Sequence, residues 1–465
     1  MKTKNKQSDT EKNRPRLPVI PHSHPGWKVI TFTALISSFG TATQATGFRF
    51  LEQSVAQVGN ANAGFSALAE NATTAITNPA GLVKLGGSGY SISGILVDYS
   101  LNFSNNGSAS PFGPYQGTAN PKVKTLGGLP SFSGYMTINK DLAFGIGIFA
   151  PYGLQIDYPD DWIGRYQSNL GKAFSLEINP VVSYRLSEKL SIGGGISAQY
   201  FNTKLTSAVD FGGLCFVAVD PTLCSQLGVT PQSADGTSKL TGDAWSFGFN
   251  LGLQYEITPG TDIGLTYRSA MTQNLNGSFS FDNPELPEPI AGITQTPLTT
   301  GSNLSGEFKL PQMISISFKH SVSSKVSVLG DVTWLDWSRL NSLDIQRDNG
   351  TPDVILDFNW RDSFKLALGL NYRASERWLY RFGINYVFNT DRKSNRLAIF
   401  PDEDRRTIAA GFNYKFSDKN SIDFAFSFIA NKDSDIASSG SDGGQLIGTY
   451  KATTRIFALQ FNHKF

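Results

Sequence analysis

The stretch Trp378-Leu379-Tyr380-Arg381-Phe382-Gly383-Ile384-Asn385-Tyr386-Val387-Phe388 decides the fold. Trp378, Tyr380, Phe382, Ile384, Tyr386 and Phe388 share one face, while Arg377, Arg381 and Asn385 share the other. Successive side chains of a strand point to opposite sides, so a period of two gives one apolar and one polar face. The pattern recurs. Phe364, Leu366, Leu368, Leu370 and Tyr372 oppose Lys365, Asn371 and Arg373; Ile408, Ala410, Phe412, Tyr414 and Phe416 oppose Thr407, Asn413 and Lys415. A soluble sandwich also alternates, and the content of the two faces decides between them. The apolar face is built of large aromatics and Leu, with Tyr and Trp near strand ends, and the polar face carries Gly, Asn, Arg and Lys. This reads as an all-β transmembrane antiparallel barrel, lipid outside and water inside, with aromatic girdles at the interfaces.

Working outward, the alternation predicts about 14 strands, starting near residues 88, 129, 141, 173, 189, 240, 261, 303, 325, 360, 377, 405, 420 and 449. Tight turns such as Asn139-Lys140-Asp141, Ser187-Glu188-Lys189 and Ser417-Asp418-Lys419 alternate with long loops such as 103–128, 211–239 and 279–302. Short turns on one rim, long loops on the other and an even strand number are the rule for outer-membrane barrels. Closure removes the unpaired edge that lipid cannot satisfy. The last strand ends in Phe465, after Phe457, Leu459 and Phe461 at alternate positions, which resembles the signal read by the bacterial barrel-insertion machinery.

Composition agrees. Of 465 residues only 17% are charged, against roughly a quarter in soluble chains, while 46 are Gly and 33 are Phe. The mean hydropathy is −0.18, and no apolar run is long enough for a membrane-spanning helix. These numbers argue against disorder, a helical membrane protein and a nucleic-acid binder. Residues 1–45 read as a signal peptide: a basic start, a short apolar run from Val29 to Phe39, and small residues before a cleavage point after Ala45. That segment holds seven of the 40 basic and two of the 38 acidic residues, so the formal +2 of the whole chain becomes −3 in the remainder. No basic patch is left for nucleic acid. Cys215 and Cys224 sit close together in a loop-like stretch; in an exported protein such a pair reads as a local disulfide, and the spacing carries no metal signature.

Residues 46–87 do not alternate. They are rich in Ala, Gly and Asn, yet include Phe48, Leu51, Val55, Phe65 and Leu82, which a solvated tail would not need. The segment is expected to be a plug inside the lumen, leaving 88–465 as the barrel. Gly47-Phe48, Glu52-Gln53-Ser54 and Asn78-Pro79-Ala80-Gly81 resemble the N-terminal hatch of the FadL/TodX-type outer-membrane transporters of hydrophobic compounds. The resemblance continues in order through Tyr152-Gly153-Leu154, Trp162-Ile163-Gly164-Arg165-Tyr166, Tyr267-Arg268-Ser269, Trp334-Leu335-Asp336-Trp337-Ser338 and Pro401-Asp402-Glu403-Asp404-Arg405. It implies a hatched barrel in the outer membrane of a Gram-negative bacterium. It also implies a ligand that is a long-chain fatty acid or a related hydrophobic small molecule, with outer-membrane lipid and lipopolysaccharide as surroundings.

One strand is anomalous. After Phe144-Gly145-Ile146-Gly147-Ile148 the sequence Ala150-Pro151-Tyr152-Gly153 interrupts it. Pro donates no hydrogen bond and is excluded from central strands, so a kink or bulge is expected here. Groups freed from the ladder cannot face lipid, so the kink should turn inward. In the resembling family an inward kink of the third strand opens a lateral gap, which makes Pro151, Tyr152 and Gly153 the expected exit.

The expected capture site is loop 211–239, with Phe211, Leu214 and Phe216 among its apolar residues; self-packing of the loop is the competing reading. Lys204, Lys365 and Arg381, on faces read as polar, are candidates to meet a carboxylate head, with Arg165 as a further one. No catalytic constellation, metal or cofactor is expected: residues 46–465 hold only His320 and His463, and there is no Gly-x-Ser-x-Gly. A general diffusion porin or a surface adhesin on the same barrel are the alternative functions.

Overall fold

The structure is a computed structural model that describes residues 48–465. The expected signal segment 1–45 lies outside the described residues, as do Thr46 and Gly47. Among the described residues, fourteen antiparallel strands make one closed sheet. They are β1 (Ser88–Asn105), β2 (Lys122–Asn139), β3 (Leu142–Phe149 and Gly153–Asp157), β4 (Leu170–Arg185) and β5 (Leu190–Asp210). Then come β6 (Asp235–Thr258), β7 (Thr261–Arg268 and Met271–Asp282), β8 (Ser302–Leu310 and Met313–Ser321) and β9 (Val326–Leu335 and Ser342–Arg347). The barrel is completed by β10 (Val354–Asp357 and Ser363–Arg373), β11 (Trp378–Val387), β12 (Arg405–Lys415), β13 (Asn420–Asn431 and Ser434–Ser439) and β14 (Gln445–Lys464). β14 lies beside β1, with Gly89 opposite Lys464 and Asn105 opposite Gly448, so no edge is left open.

The faces follow the alternation. Phe382, Ile384, Leu366 and Leu368 point outward and are exposed, while Lys365, Ala367, Arg381 and Asn385 point inward and are buried. Phe247 is 77% and Ile196 69% exposed, which is stable only if the barrel wall meets lipid rather than water. Girdle residues cluster on that wall: the Trp378 ring lies 4.6 Å from Tyr414, and Tyr200 lies 5.5 Å from Trp245. Several strands run further into the long-loop rim than the alternation predicts. β2 begins at Lys122 rather than near 129, β6 at Asp235 rather than near 240, and β14 at Gln445 rather than near 449. Above the lipid both faces are wet, so the apolar half of the pattern fades while the hydrogen-bond ladder continues.

Residues 48–87 fill the barrel interior. They form two short helices, α1 (Val55–Gly59) and α2 (Thr74–Thr77), and a 3-10 turn at Pro79–Lys84. Contacts to the wall come from most sides. Asn60 Nδ2 donates to Asn371 Oδ1 (2.9 Å), Asn385 Nδ2 to the Ala61 carbonyl (2.9 Å), and Ser66 Oγ to the Gly264 carbonyl (2.8 Å). Asn78 Nδ2 reaches the Ser66 (2.7 Å) and Leu253 (3.1 Å) carbonyls, and its Oδ1 caps the 3-10 turn by accepting from the Ala80 amide. Pro79 stands at the first position of that turn, where its missing N–H costs nothing. The wall gives way to this segment through glycine: a Cβ on Gly147 would meet Ile76 at 2.6 Å, and one on Gly145 would meet Leu82 at 2.6 Å. Ala61 and Asn62 have φ of 50° and 61°, a left-handed turn that costs Ala about 1–2 kcal/mol and is held by these wall bonds.

Candidate functional site

The β2–β3 ladder runs from Asn139 opposite Leu142 to Phe132 opposite Ile148 and stops there. Beyond Ala150-Pro151-Tyr152 the chain resumes as Gly153–Asp157, in register with β4 from Gly153 opposite Phe174 to Asp157 opposite Leu170. β2 meanwhile stays on β1 up to Lys122 opposite Asn102. The outer half of β3 has thus left the β2 ladder and leaned inward, with the Thr125 hydroxyl still reaching the Gln155 carbonyl at 3.2 Å. The groups released at the break are met from inside. The Phe50 amide donates to the Pro151 carbonyl (2.8 Å), the Gly153 amide to the Phe48 carbonyl (3.0 Å), and Gln53 Nε2 to the Ala150 carbonyl (3.1 Å). Ser175 Oγ accepts from the Tyr152 amide (2.9 Å).

Next to the break lies a packed aromatic cluster, called the chamber below. The Phe48 ring sits at its centre, fully buried, with ring centres at 5.5 Å (Tyr152), 5.2 Å (Trp337), 5.6 Å (Phe308) and 5.6 Å (Phe400). Phe201 and Trp360 complete the shell at 6.5 and 6.3 Å. Apart from Phe48 and Tyr152 of the β3 break, these residues come from β5, β8, the breaks in β9 and β10, and the loop before β12. Breaking a strand releases its alternation, which lets Trp337 and Trp360 both turn inward. Toward the long-loop rim the chamber is roofed by Tyr158 stacked on Trp162 at 4.0 Å.

The other expected site residues divide sharply. Lys365 is buried and held by Asp331 (2.9 Å) and the Asn62 carbonyl (3.1 Å), and Arg381 by Asp423 (2.7 Å) and Glu70 (2.8 Å). Both face the lumen as expected, and their charges are paired there, so they tie residues 48–87 to the wall. Lys204 is a correction of a different kind. It shares the face of Tyr200 and Ile196, which points away from the lumen. Near the rim the outward face turns polar, so a polar residue there no longer marks the inside. Arg165 pairs with Asp235 (2.7 Å) and donates to the Gln116 carbonyl, a loop-ordering role.

Loop 211–239 folds as α3 (Phe211–Ala218) and α4 (Pro221–Gln226), joined by a Cys215–Cys224 disulfide. Phe211 is fully buried, and the Phe216 ring lies 5.8 Å from Phe112. Leu214, Val217 and Val219 remain exposed, Val217 by 78%. Self-packing and an exposed apolar patch therefore coexist in one loop. The acidic run 402–404 is an ion-pair network: Asp402 with Arg405, and Glu403 with Arg396 (3.1 Å), which Asp391 also clasps at 2.7 Å. Burial works against the Arg396 charge, but Asp391 and Glu403 outweigh it and hold its pKa above the ordinary value.

Trp337, Trp360, Phe308 and Phe400 had no site role in the sequence reading. Trp337 stands in a quoted motif, and the failure of alternation at 336–341 is the signal that could have placed it. Arg268 stands in the Tyr267-Arg268-Ser269 stretch but had no site role there, while Arg49 and Glu177, the buried partner of Arg268, carry no pattern that singles them out.

Comparison with known proteins places this geometry. Residues 36–465 match the family described as "Outer membrane protein transport protein (OMPP1/FadL/TodX)". The "Long-chain fatty acid transport protein" of Escherichia coli O6:H1 is 27% identical over 410 residues, covering 85% of this chain and 89% of the relative. The "47 kDa outer membrane protein" of Pasteurella multocida is 28% identical over 438 residues, covering 93% and 97%. Among solved structures, a Pseudomonas aeruginosa FadL homologue superposes with a TM-score of 0.80 at 21% identity, covering 90% of this chain and 100% of that one. The Pseudomonas putida toluene transporter TodX gives 0.67 at 16%, covering 91% and 99%; these two likenesses concern the fold. The chain is a closed barrel of the bacterial outer membrane and belongs to the OMPP1/FadL/TodX family of outer-membrane transport proteins.

Proposed function

We propose that this barrel carries long-chain fatty acids or similar hydrophobic compounds from the long-loop side into the membrane, through the break in β3. Names borne by relatives support a hydrophobic cargo: long-chain fatty acid for the E. coli protein, toluene for TodX. Capture falls to the exposed apolar residues of α3, Leu214 and Val217, beside Phe112. The ligand then takes the volume that Phe48 occupies among Trp337, Phe308 and Phe400. It leaves between β2 and the inward-leaning half of β3. Each buried CH₂ contributes roughly 0.8 kcal/mol, so a chain of about fifteen gives on the order of 10 kcal/mol before entropy. Tail burial thus drives binding, and no nucleotide motif is present to drive release. Transport runs down a gradient.

The observation that carries this reading is the β3 break itself. Its freed backbone groups are bonded by Phe48, Phe50 and Gln53, so chamber and seam share one movable segment. Residues 48–87 act as the hatch, and the lumen filled by them disfavours a general diffusion porin. Replacing Pro151-Tyr152-Gly153 by Thr-Val-Thr restores a continuous strand. Uptake of a labelled long-chain fatty acid by cells should then fall to the level of cells lacking the protein, with the barrel still folded by heat-modifiable gel mobility. Undiminished uptake would sink the lateral route.

A further inference from the structure

Arg49 is an arginine buried to 4% exposure beside the β3 break, and among the described residues it forms no ion pair. Its guanidinium donates to the Tyr152 hydroxyl at 2.5 Å and lies 5.1 Å from the centre of that ring, while its Nε has no acceptor at all. The buried carboxylate of this neighbourhood is already committed. Glu177 Oε1 takes Arg268 and the Ser197 hydroxyl, and Glu177 Oε2 takes Gln199 Nε2. The cluster around Tyr152 therefore holds two guanidinium groups, Arg49 and Arg268, against one carboxylate. A second orphan donor points to the same place. Trp337 Nε1 is buried without an acceptor, and its ring meets Tyr152 edge-on at 6.4 Å.

A buried charge without a partner is strongly unfavourable, and buried donors without acceptors add to it. A group suited to these donors is acceptor-only, anionic and small enough to lie beside a packed aromatic cluster. A carboxylate matches all three requirements, because it offers two oxygens to a guanidinium fork and has no proton to donate. We propose that Arg49 is the head-group receptor of the exit path, and that the cargo is an amphiphile with a carboxylate head rather than a neutral hydrocarbon. Arg49 lies one residue from Phe48, so an incoming head group that pairs with it also engages the segment whose Phe50 and Gln53 hold the break. A neutral aromatic hydrocarbon filling the chamber would leave the charge as unmatched as before. This inference rests on the transport reading above and narrows its substrate class.

The test compares hexadecanoate with 1-hexadecanol, ligands of equal tail length, on the full-length barrel in detergent at pH 9, where the acid is ionised. Wild type should prefer the carboxylate by about tenfold or more, the size of a charge-assisted hydrogen bond. Arg49→Gln should bring the two affinities together while leaving that for the alcohol unchanged, and Arg49→Lys should keep part of the preference. A preference that survives Arg49→Gln overturns the assignment. So does equal binding of both ligands by wild type, a comparison that needs no variant to fold. Loss of both affinities in parallel in Arg49→Gln would also overturn it. If wild type binds neither ligand, the transport reading itself fails, an outcome distinct from the others.

Discussion

Phe50 donates its backbone amide to the carbonyl of Pro151 at 2.8 Å, so the N-terminal segment supplies the partner that a proline-broken wall strand cannot find in its own sheet. Segment 48–87 and the wall are coupled at the point where the β2–β3 ladder stops. Disturbing one should be felt in the other.

Gln53 is the most direct lever on that coupling. Its Nε2 donates to both the Phe50 and the Ala150 carbonyls, at 3.1 Å each. Gln53→Ala strips a donor from two buried acceptors, at a cost of about 1–3 kcal/mol each if nothing replaces it. Amide hydrogen exchange at residues 149–154 should quicken, with the remaining β-strands unchanged. Unaltered exchange at the break would show that Gln53 does not hold it.

In the proposed route the ligand tail takes the volume that the buried Phe48 ring fills. Phe48→Ala vacates ring volume among Trp337, Phe308 and Phe400, so the tail no longer competes with a buried aromatic side chain. Affinity for a neutral probe such as 1-hexadecanol, measured by calorimetry, should rise several-fold. A fall would mean that the ring is part of the binding surface and not its occupant.

The Lys365–Asp331 pair is structural. Removing one partner of a buried pair costs about 3–5 kcal/mol, because the other charge is left desolvated. Lys365→Met should lower the midpoint of urea unfolding, while the preference for a carboxylate over an alcohol stays intact. Asp331→Asn added to Lys365→Met should recover much of the loss. A lowered carboxylate preference in the single variant would restore Lys365 as a head-group candidate.

In the 211–239 loop the Cys215–Cys224 bridge joins two short helices whose exposed face carries Leu214 and Val217. Cys215→Ser with Cys224→Ser should leave the barrel as resistant to heat as before, because the bridge packs with Val229 and Ile290 of the loops. Limited proteolysis should cut the loop faster, and uptake at low ligand concentration should slow. Equal cleavage rates in both forms would deny the bridge any part in ordering the loop.

Much of the architecture was readable because a barrel wall is governed by a local rule. Side chains alternate by backbone geometry alone, so the faces of β10, β11 and β12 follow from their own residues. Starts at 88, 261, 405 and 420 coincide with the observed strands. The break at Pro151 was equally local, since proline cannot join a ladder wherever it stands. What escaped was whatever depends on a partner far along the chain. Lys365 and Arg381 were placed on the correct face. That their charges are met by Asp331, Asp423 and Glu70 is a fact of packing between the segment 48–87 and four different strands. Lys204 shows the limit of the rule itself: once a strand leaves the lipid, outward residues turn polar and the two faces look alike.

The sequence by itself determined the closed barrel, the side of the wall each residue of the membrane band faces, and the position of the broken strand, because these follow from short-range geometry and from the exclusion of unpaired backbone by lipid. Only the tertiary structure decided that Phe48, Trp337, Trp360 and Phe400 share one packed cluster, and that Arg49 has no counter-charge beside it among the described residues. Those outcomes depend on which distant side chains fill the same small volume. Burial turns a difference of one charge there, invisible in the composition, into a dominant energy.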